Sequence, residues 1–370
     1  MTDNTPHAPL AAERRSHILA ALARDGAVRT AQLIDDLGVT PVTLRRDLAQ
    51  MERAGLLERV HGGAVPSERT SAAAAASATA SGGSGGGGTV AVLVPSLNYY
   101  WPGVVRGMET AARRHGLKLL LRGASYEMQD ERPVLERLIA DPTVRGFIVA
   151  PNTDTPYAQD VVQWLDESGV PTVFVERDAV LLPDRAPVEN VTTDHALGAV
   201  LAARHLASLG HRKVGLILSR DSPTGRKIVQ GWETACAELQ LSPSEHFEEF
   251  FPDRSSPSFS RSVEEAIDTA LTSGVTGLLI HSDPEAMAFI DIALNRGISV
   301  PQDLSVVAYD DEVAQLFTPA LTAVSPPRAA VGSAAIDLLA ARLEDPDRPV
   351  HRVILNPTLN VRQSTAPVES

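Results

Sequence analysis

The sequence predicts an α/β protein: a two-lobed body of parallel sheets with helices on both faces, preceded by a small winged helix-turn-helix domain. Three observations predict it. From residue 89 onward, short continuous apolar runs alternate with amphipathic stretches, the pattern of parallel strands covered on both sides. That pattern runs for about 280 residues, long for one sheet, so two lobes are expected. The first 66 residues instead carry three short helical periods and a Gly-Gly hairpin.

Composition narrows the class. At 370 residues with 44% hydrophobic content, the chain has material for real cores. No apolar run is long enough to span a bilayer, and residues 1–12 lack the apolar stretch of a secretion signal. The one cysteine, Cys236, excludes a disulfide framework and a cysteine metal cluster. A cytoplasmic location is therefore expected. The net charge of −13 is unevenly held: residues 1–66 contain eight Arg and eight acidic residues, leaving 25 basic and 38 acidic residues for 67–370. The body should be repelled by phosphate, so contact with nucleic acid is confined to the first domain.

In that domain, a first helix over residues 11–24 faces Ile18, Leu19 and Leu22 inward and stops at Asp25-Gly26. Thr30 caps a second, with Leu33, Ile34 and Leu37 as its stripe. Gly38-Val39-Thr40 then turns into a third, where Thr40 caps and Pro41 occupies a position whose missing N–H costs nothing. Leu44, Leu48 and Met51 share one face of this third helix. The opposite side carries Val42, Arg46, Gln50 and Arg53, flanked by Thr43 and Arg45, an arginine-rich face with small residues that suits a major groove. Residues 56–60, His61-Gly62-Gly63 and Ala64-Val65 form a small hairpin, a wing.

The run Val39-Thr40-Pro41-Val42-Thr43-Leu44-Arg45-Arg46-Asp47-Leu48, with Gly55-Leu56-Leu57 and Arg59-Val60-His61-Gly62-Gly63-Ala64, resembles the DeoR-type winged helix-turn-helix over almost its whole length. The resemblance implies sequence-specific binding of double-stranded operator DNA. Thr40, Thr43, Arg45 and Arg46 would meet it through the third helix, Arg59 and His61 through the wing. Residues 67–88, with an alanine run at 72–76 and six glycines in 81–88, read as a tether whose span as coil is on the order of 25 Å.

The body begins with a strand over 90–94 and a helix over 103–115. A strand at 117–121 and a helix at 130–140 follow, then strands at 146–150, 171–175, 213–218, 277–280 and 304–308 with helical segments between. In such folds ligands sit at the carboxyl ends of strands. The stretches Pro171-Thr-Val-Phe-Val-Glu-Arg-Asp178, Val191-Thr-Thr-Asp194, Gly210-His211-Arg-Lys-Val214, Ser282-Asp283, Ser305-Val-Val-Ala-Tyr-Asp-Asp311 and Pro319-Ala-Leu-Thr322 resemble, in this order, LacI/GalR-type sensor domains, which have the periplasmic-binding-protein-like fold. The resemblance covers nearly all of 89–365. It implies a cleft closing on a small ligand, a sugar or sugar derivative, homodimerisation through the lobes, and three chain crossings. Lobe one would be about 89–191 plus 323–348, and lobe two about 192–320 plus 350–365. Two departures stand out. The family's own headpiece and hinge helix are replaced by the winged domain and tether, and Ile228 stands where the family often places an arginine, with Arg226 as the candidate substitute.

Candidate ligand contacts are strand-end residues. Tyr99, Tyr100 and Trp101 follow the first strand and offer ring faces to a sugar. Asn152, Arg177, Asp178, Asp194 and Asp283 offer acceptors and donors for hydroxyls. The same residues also read as helix caps (Asp194, Asp283), an Arg177–Asp178 ion pair, or packing (Tyr99 to Trp101). The ten histidines show no metal-ligand spacing, the glycine run lacks the lysine of a phosphate loop, and no nucleophile elbow occurs. No cofactor, metal or catalytic group is expected. The function that emerges is a ligand-responsive transcription repressor. Its rivals are a solute-binding receptor of the same fold, which needs a secretion signal, and an enzyme on that scaffold.

Overall fold

The computed structural model describes residues 88–97, 99–123, 131–152, 157–220, 222–241 and 247–368. Of the first 66 residues it describes Ile18, 28–30, Leu33, Ile34, Leu44, Arg46, Leu48, Met51, Glu52, 57–60 and 63–66. The chain divides into two compact units, residues 1–85 and 86–370.

In the first unit, Ile18, Val28, Leu33, Leu44, Leu48, Met51, Leu57 and Ala64 form one buried cluster. The Leu44, Leu48, Met51 stripe is thus the inward face of its helix, as its spacing predicts. Strand β1 (Val28–Arg29) pairs antiparallel with β3 (Gly63–Pro66), which pairs with β2 (Leu57–Val60) in the register Val60↔Gly63. The hairpin is the expected wing. β1 is an addition: two residues after Asp25-Gly26 are too short for a visible alternation, and the strand exists only because β3 offers it an edge.

The second unit opens with β4 (Thr89–Val94), α1 (Trp101–Arg114), β5 (Lys118–Gly123), α2 (Arg132–Ile139), β6 (Val144–Val149), α3 (Ala158–Glu167) and β7 (Thr172–Val175). A small ribbon, β8 (Val180–Leu181) with β9 (Ala186–Pro187), leads to β10 (Asn190–Thr193). Then come α4 (His195–Ser208), β11 (Val214–Ser219), α5 (Gly225–Glu238), β12 (Phe247–Phe251), α6 (Phe259–Ser273), β13 (Gly277–Ile280), α7 (Asp283–Asn295) and β14 (Ser305–Tyr309). The unit ends with β15 (Thr322–Ser325), α8 (Arg328–Glu344), β16 (Arg352–Leu355) and β17 (Thr358–Asn360).

These strands make two six-stranded sheets, β16-β10-β7-β6-β4-β5 and β12-β11-β13-β14-β15-β17. All pairings are parallel except β15 with β17. Apolar clusters lie on both faces of each sheet, which explains the unbroken apolar strands. Helices α1 and α8 cover the first sheet together. A Cβ on Gly332 would strike the Val104 carbonyl, and one on Gly107 the Ala329 carbonyl, so glycine is what lets the two backbones touch.

The sheet memberships correct the expected borders. Thr322–Ser325 belongs to the second sheet, where Ala323 pairs with Asn360, although lobe one was expected to resume at 323. Arg352–Leu355 belongs to the first, with Val353 opposite Val191, although lobe two was expected from 350. In each case the strand is completed in its own sheet before the chain crosses. Thr192 and Thr193 likewise lie in the first sheet, so that crossing falls at Asp194.

Candidate functional site

The carboxyl ends of β4 and β7 in the first sheet meet those of β13 and β14 in the second through buried polar side chains. Glu176, just past β7, is the hub. Its Oε1 accepts hydrogen bonds from the Tyr100 hydroxyl and the Thr193 hydroxyl, both at 2.7 Å. Its Oε2 accepts the Thr193 N–H at 3.1 Å and faces His195 Nε2 at 3.2 Å. Burial alone would raise this carboxyl, but the hydrogen bond and charge of His195, with the two hydroxyls, bring it down to about 2. His195 Nδ1 lies 3.1 Å from the Tyr309 hydroxyl, at the end of β14. Gly198 leaves room for that hydroxyl, which a Cβ would displace.

On the second sheet, the Asp283 carboxylate accepts the N–H groups of Asp311 (3.1 Å), Glu312 (2.7 Å) and Val313 (2.9 Å). Burial and the neighbouring Asp310 push its carboxyl up to about 7 against those three donors. Asp310 itself is pushed up to about 6 by burial, opposed by the charges of His195 and Arg328 and a hydrogen bond from Tyr99. His281 falls to about 4, mainly through burial, and its Nδ1 has no hydrogen-bond partner. Arg328, at the start of α8, donates to the carbonyls of Asp310 and Asp311, pairs with Glu312 at 3.0 Å, and lies over the Tyr100 ring at 5.9 Å. Tyr99, Glu176, Asp310 and Asp311 all have positive φ, from +52° to +93°. Left-handed backbone is uncommon for such side chains and is retained where surroundings enforce it, often at functional sites.

The structure sorts the sequence candidates. Tyr99 and Tyr100 come into this cluster, Tyr99 with its hydroxyl 3.3 Å from the Asp283 N–H. Of the others, Trp101 and Asp194 take the packing and helix-capping places that the sequence also allowed, and the rest make the contacts given next. Trp101 is buried in the α1 core at 2% exposure, so it offers no open ring face to a ligand; the Arg177 guanidinium lies over it. Arg177 is 3% exposed and donates to the carbonyls of Pro151 and Glu176. It clamps two strand ends and is not paired with Asp178, which is exposed and pairs with Lys227 at 2.9 Å and Arg352 at 3.7 Å. Asp283 is fully buried with both oxygens committed to backbone. Asp194 caps α4 through the Leu197 N–H at 2.9 Å. The Asn152 N–H donates to Glu131, and Arg226 is exposed on α5. Sequence reasoning missed Glu176, His195, Tyr309, Asp310 and Arg328 as members of the cluster. For Glu176 and Asp310, a titratable residue directly after an apolar strand was the available signal.

In the first unit, Arg46 is exposed on the helix whose Leu44 and Leu48 are buried. Thr40, Val42, Thr43, Arg45, Gln50, Arg53 and His61 lie outside the described residues. Arg59 is in β2, with its side chain outside them. Among the described residues no helix is long and apolar enough to cross a membrane, and no cluster of three His, Cys, Asp or Glu could hold a metal ion.

Residues 14–70 match the DeoR-like helix-turn-helix domain, and residues 203–365 the periplasmic binding protein-like domain. The HTH-type transcriptional regulator DegA of Bacillus subtilis (strain 168) is 24% identical over 343 residues, 92% of this chain and 94% of that one. An uncharacterized HTH-type transcriptional regulator in the aml 5' region of Streptomyces limosus is 31% identical over 283 residues, 75% of this chain and 78% of that one. A crystal structure of a LacI family transcriptional regulator from Enterococcus faecium, with bound ribose, superposes with a TM-score of 0.63 at 24% identity, over 76% of this chain and all of that one. With a DeoR-like helix-turn-helix match near the start of the chain and a two-sheet periplasmic binding protein-like body after it, this chain belongs to the HTH-type transcriptional regulators.

Proposed function

We propose that this regulator is a repressor that fuses a DeoR-type head to a LacI-type sensor, works as a homodimer on operator DNA in the cytoplasm, and responds to a sugar or sugar derivative held between the two sheets. The observation that carries the reading is the polar cluster around Glu176, Tyr99 and Asp310, which joins strand ends of both sheets in fixed geometry. Such convergent acceptors and donors suit a ligand rich in hydroxyls. The ribose in the E. faecium relative supports the same ligand class. The exposed Arg46, over a buried leucine stripe, supports groove contact by the head. The two lobes are proposed to exchange chain at Asp194, near 326, and near 356, after the strands that complete each sheet.

The ligand must bind the two sensor states unequally to change the placement of the DNA heads. Thermal shift of the full chain against a panel of ribose, arabinose, glucose and cellobiose, followed by operator binding with any hit, tests the reading. A sugar that stabilises the chain and changes operator affinity is the expected result. A stabilising sugar that leaves operator affinity untouched overturns the switch, and turnover of a bound sugar overturns the regulator reading in favour of an enzyme.

A further inference from the structure

Tyr99 and Tyr100 are neighbours in sequence and differ in what they do. The Tyr100 hydroxyl is anchored on Glu176 in its own sheet, and its ring meets Trp101 edge-on at 5.7 Å with Arg328 on it. It is scaffold. Tyr99 leaves the first sheet altogether. It sits in the loop between β4 and α1, yet its hydroxyl reaches the start of α7 under the second sheet. There it accepts the Asp283 N–H at 3.3 Å and donates to the Asp310 carboxylate, with Ser282 and Glu285 also around it. Among the described residues no aromatic or cationic side chain stacks on its ring.

Two features of this contact matter. The oxygen takes an N–H from a helix N-terminus and gives its proton to a buried carboxylate, which is how a ligand hydroxyl would be held. The residue does so at φ +58°, a backbone that bulky side chains rarely adopt. The surroundings, this contact among them, hold the backbone in that conformation.

We propose that the Tyr99 phenol is a built-in stand-in for a ligand hydroxyl: it bridges the two sheets at the start of α7, and a hydroxyl-bearing ligand binds by displacing it. This rests on the sugar-sensing reading above. It makes Tyr99 a residue that sets both the closed fraction of the sensor before ligand arrives and the apparent affinity for the ligand. Asp178 with Lys227 and Arg328 with Glu312 also tie the sheets together, so losing the Tyr99 bridge loosens closure without abolishing it.

The test uses the full chain with spin labels on exposed positions of the two lobes, Glu109→Cys on α1 and Glu265→Cys on α6; the native Cys236 is buried. Tyr99→Phe removes one oxygen and keeps the ring, so folding is preserved. Without sugar, Tyr99→Phe should move the inter-label distance distribution to longer values. Calorimetry against ribose, arabinose, glucose and cellobiose should show affinity rising about fivefold, the equivalent of one displaced hydrogen bond. An unchanged distance distribution overturns the bridge. Lower affinity in Tyr99→Phe overturns displacement and makes the hydroxyl an ordinary ligand contact. If no sugar binds either chain, the sugar reading fails, and the distance measurement alone then decides for or against the bridge.

Discussion

Replacing Asp283 with alanine separates two roles that one carboxylate at a strand end can have. Its oxygens accept three backbone N–H groups from 311–313, the loop that follows β14. Alanine leaves all three without an acceptor. An orphaned buried donor costs about 1–3 kcal/mol, and the loop is only part-buried, so about 1 kcal/mol for each is appropriate, or roughly 3 kcal/mol in total. Relief of the repulsion between Asp283 and Asp310 offsets part of this, and loosening of Glu312 against Arg328 adds to it. Urea unfolding of the full chain without sugar, followed by a probe in the sensor, should show a lower midpoint at unchanged slope. A purely ligand-binding aspartate predicts the opposite: native stability and lost sugar affinity. Destabilisation below about 1 kcal/mol would refute the anchoring argument.

Three further outcomes follow from the structure. Asp310→Asn should change the pH dependence of stability. Its folded carboxyl lies at about 6, above the ordinary 3.8, so the wild type holds an extra proton when folded and loses stability as pH rises from about 4 through 6. The asparagine variant lacks that decline, a difference of up to about 3 kcal/mol; parallel profiles from pH 4 to 8 would contradict it. Arg46→Ala should cost about 1–3 kcal/mol of operator affinity while sugar-induced thermal shift stays at wild type, and an unchanged footprint would refute the assignment of that helix. Leu44→Ala, at a fully buried position, should destabilise the first unit by about 2–5 kcal/mol and leave the sensor transition in place, measured by calorimetry of the full chain.

Much of the fold was legible because parallel strands buried on both faces have nowhere to place a polar residue. Gly277–Ile280 is an unbroken apolar run, and its expected bounds match those in the structure. The missed strands include the interior pair Asn190–Thr193 and Thr322–Ser325, whose threonines interrupt any apolar run, and edge strands that lean on one neighbour. Phe247-Glu-Glu-Phe-Phe251 is an edge strand interrupted by two glutamates, with Glu248 and Phe250 exposed, and Arg352-Val-Ile-Leu355 is a short edge strand with Ile354 exposed, so neither is the longer buried apolar run of a central strand. The site was half legible. Strand ends pointed to Tyr99 and Tyr100, which lie in the polar cluster. Burial decided the remainder: Arg177, Trp101 and Asp283 differ from solvent-facing residues only through the chain packed over them, and local sequence carries no record of that. Glu176 and His195 are 19 residues apart and meet only because β7 and β10 lie side by side.

The order in which the strands are laid down has a consequence for how the sensor is made. The first sheet begins at residue 89 but receives its covering helix α8 and its edge strand β16 only after the whole second sheet except β17 has been synthesised. During synthesis an early half must wait, one flank open, for partners encoded more than 200 residues downstream. A stop codon near residue 345 would therefore cost both halves an edge, β16 from one and β17 from the other, instead of trimming a single tail.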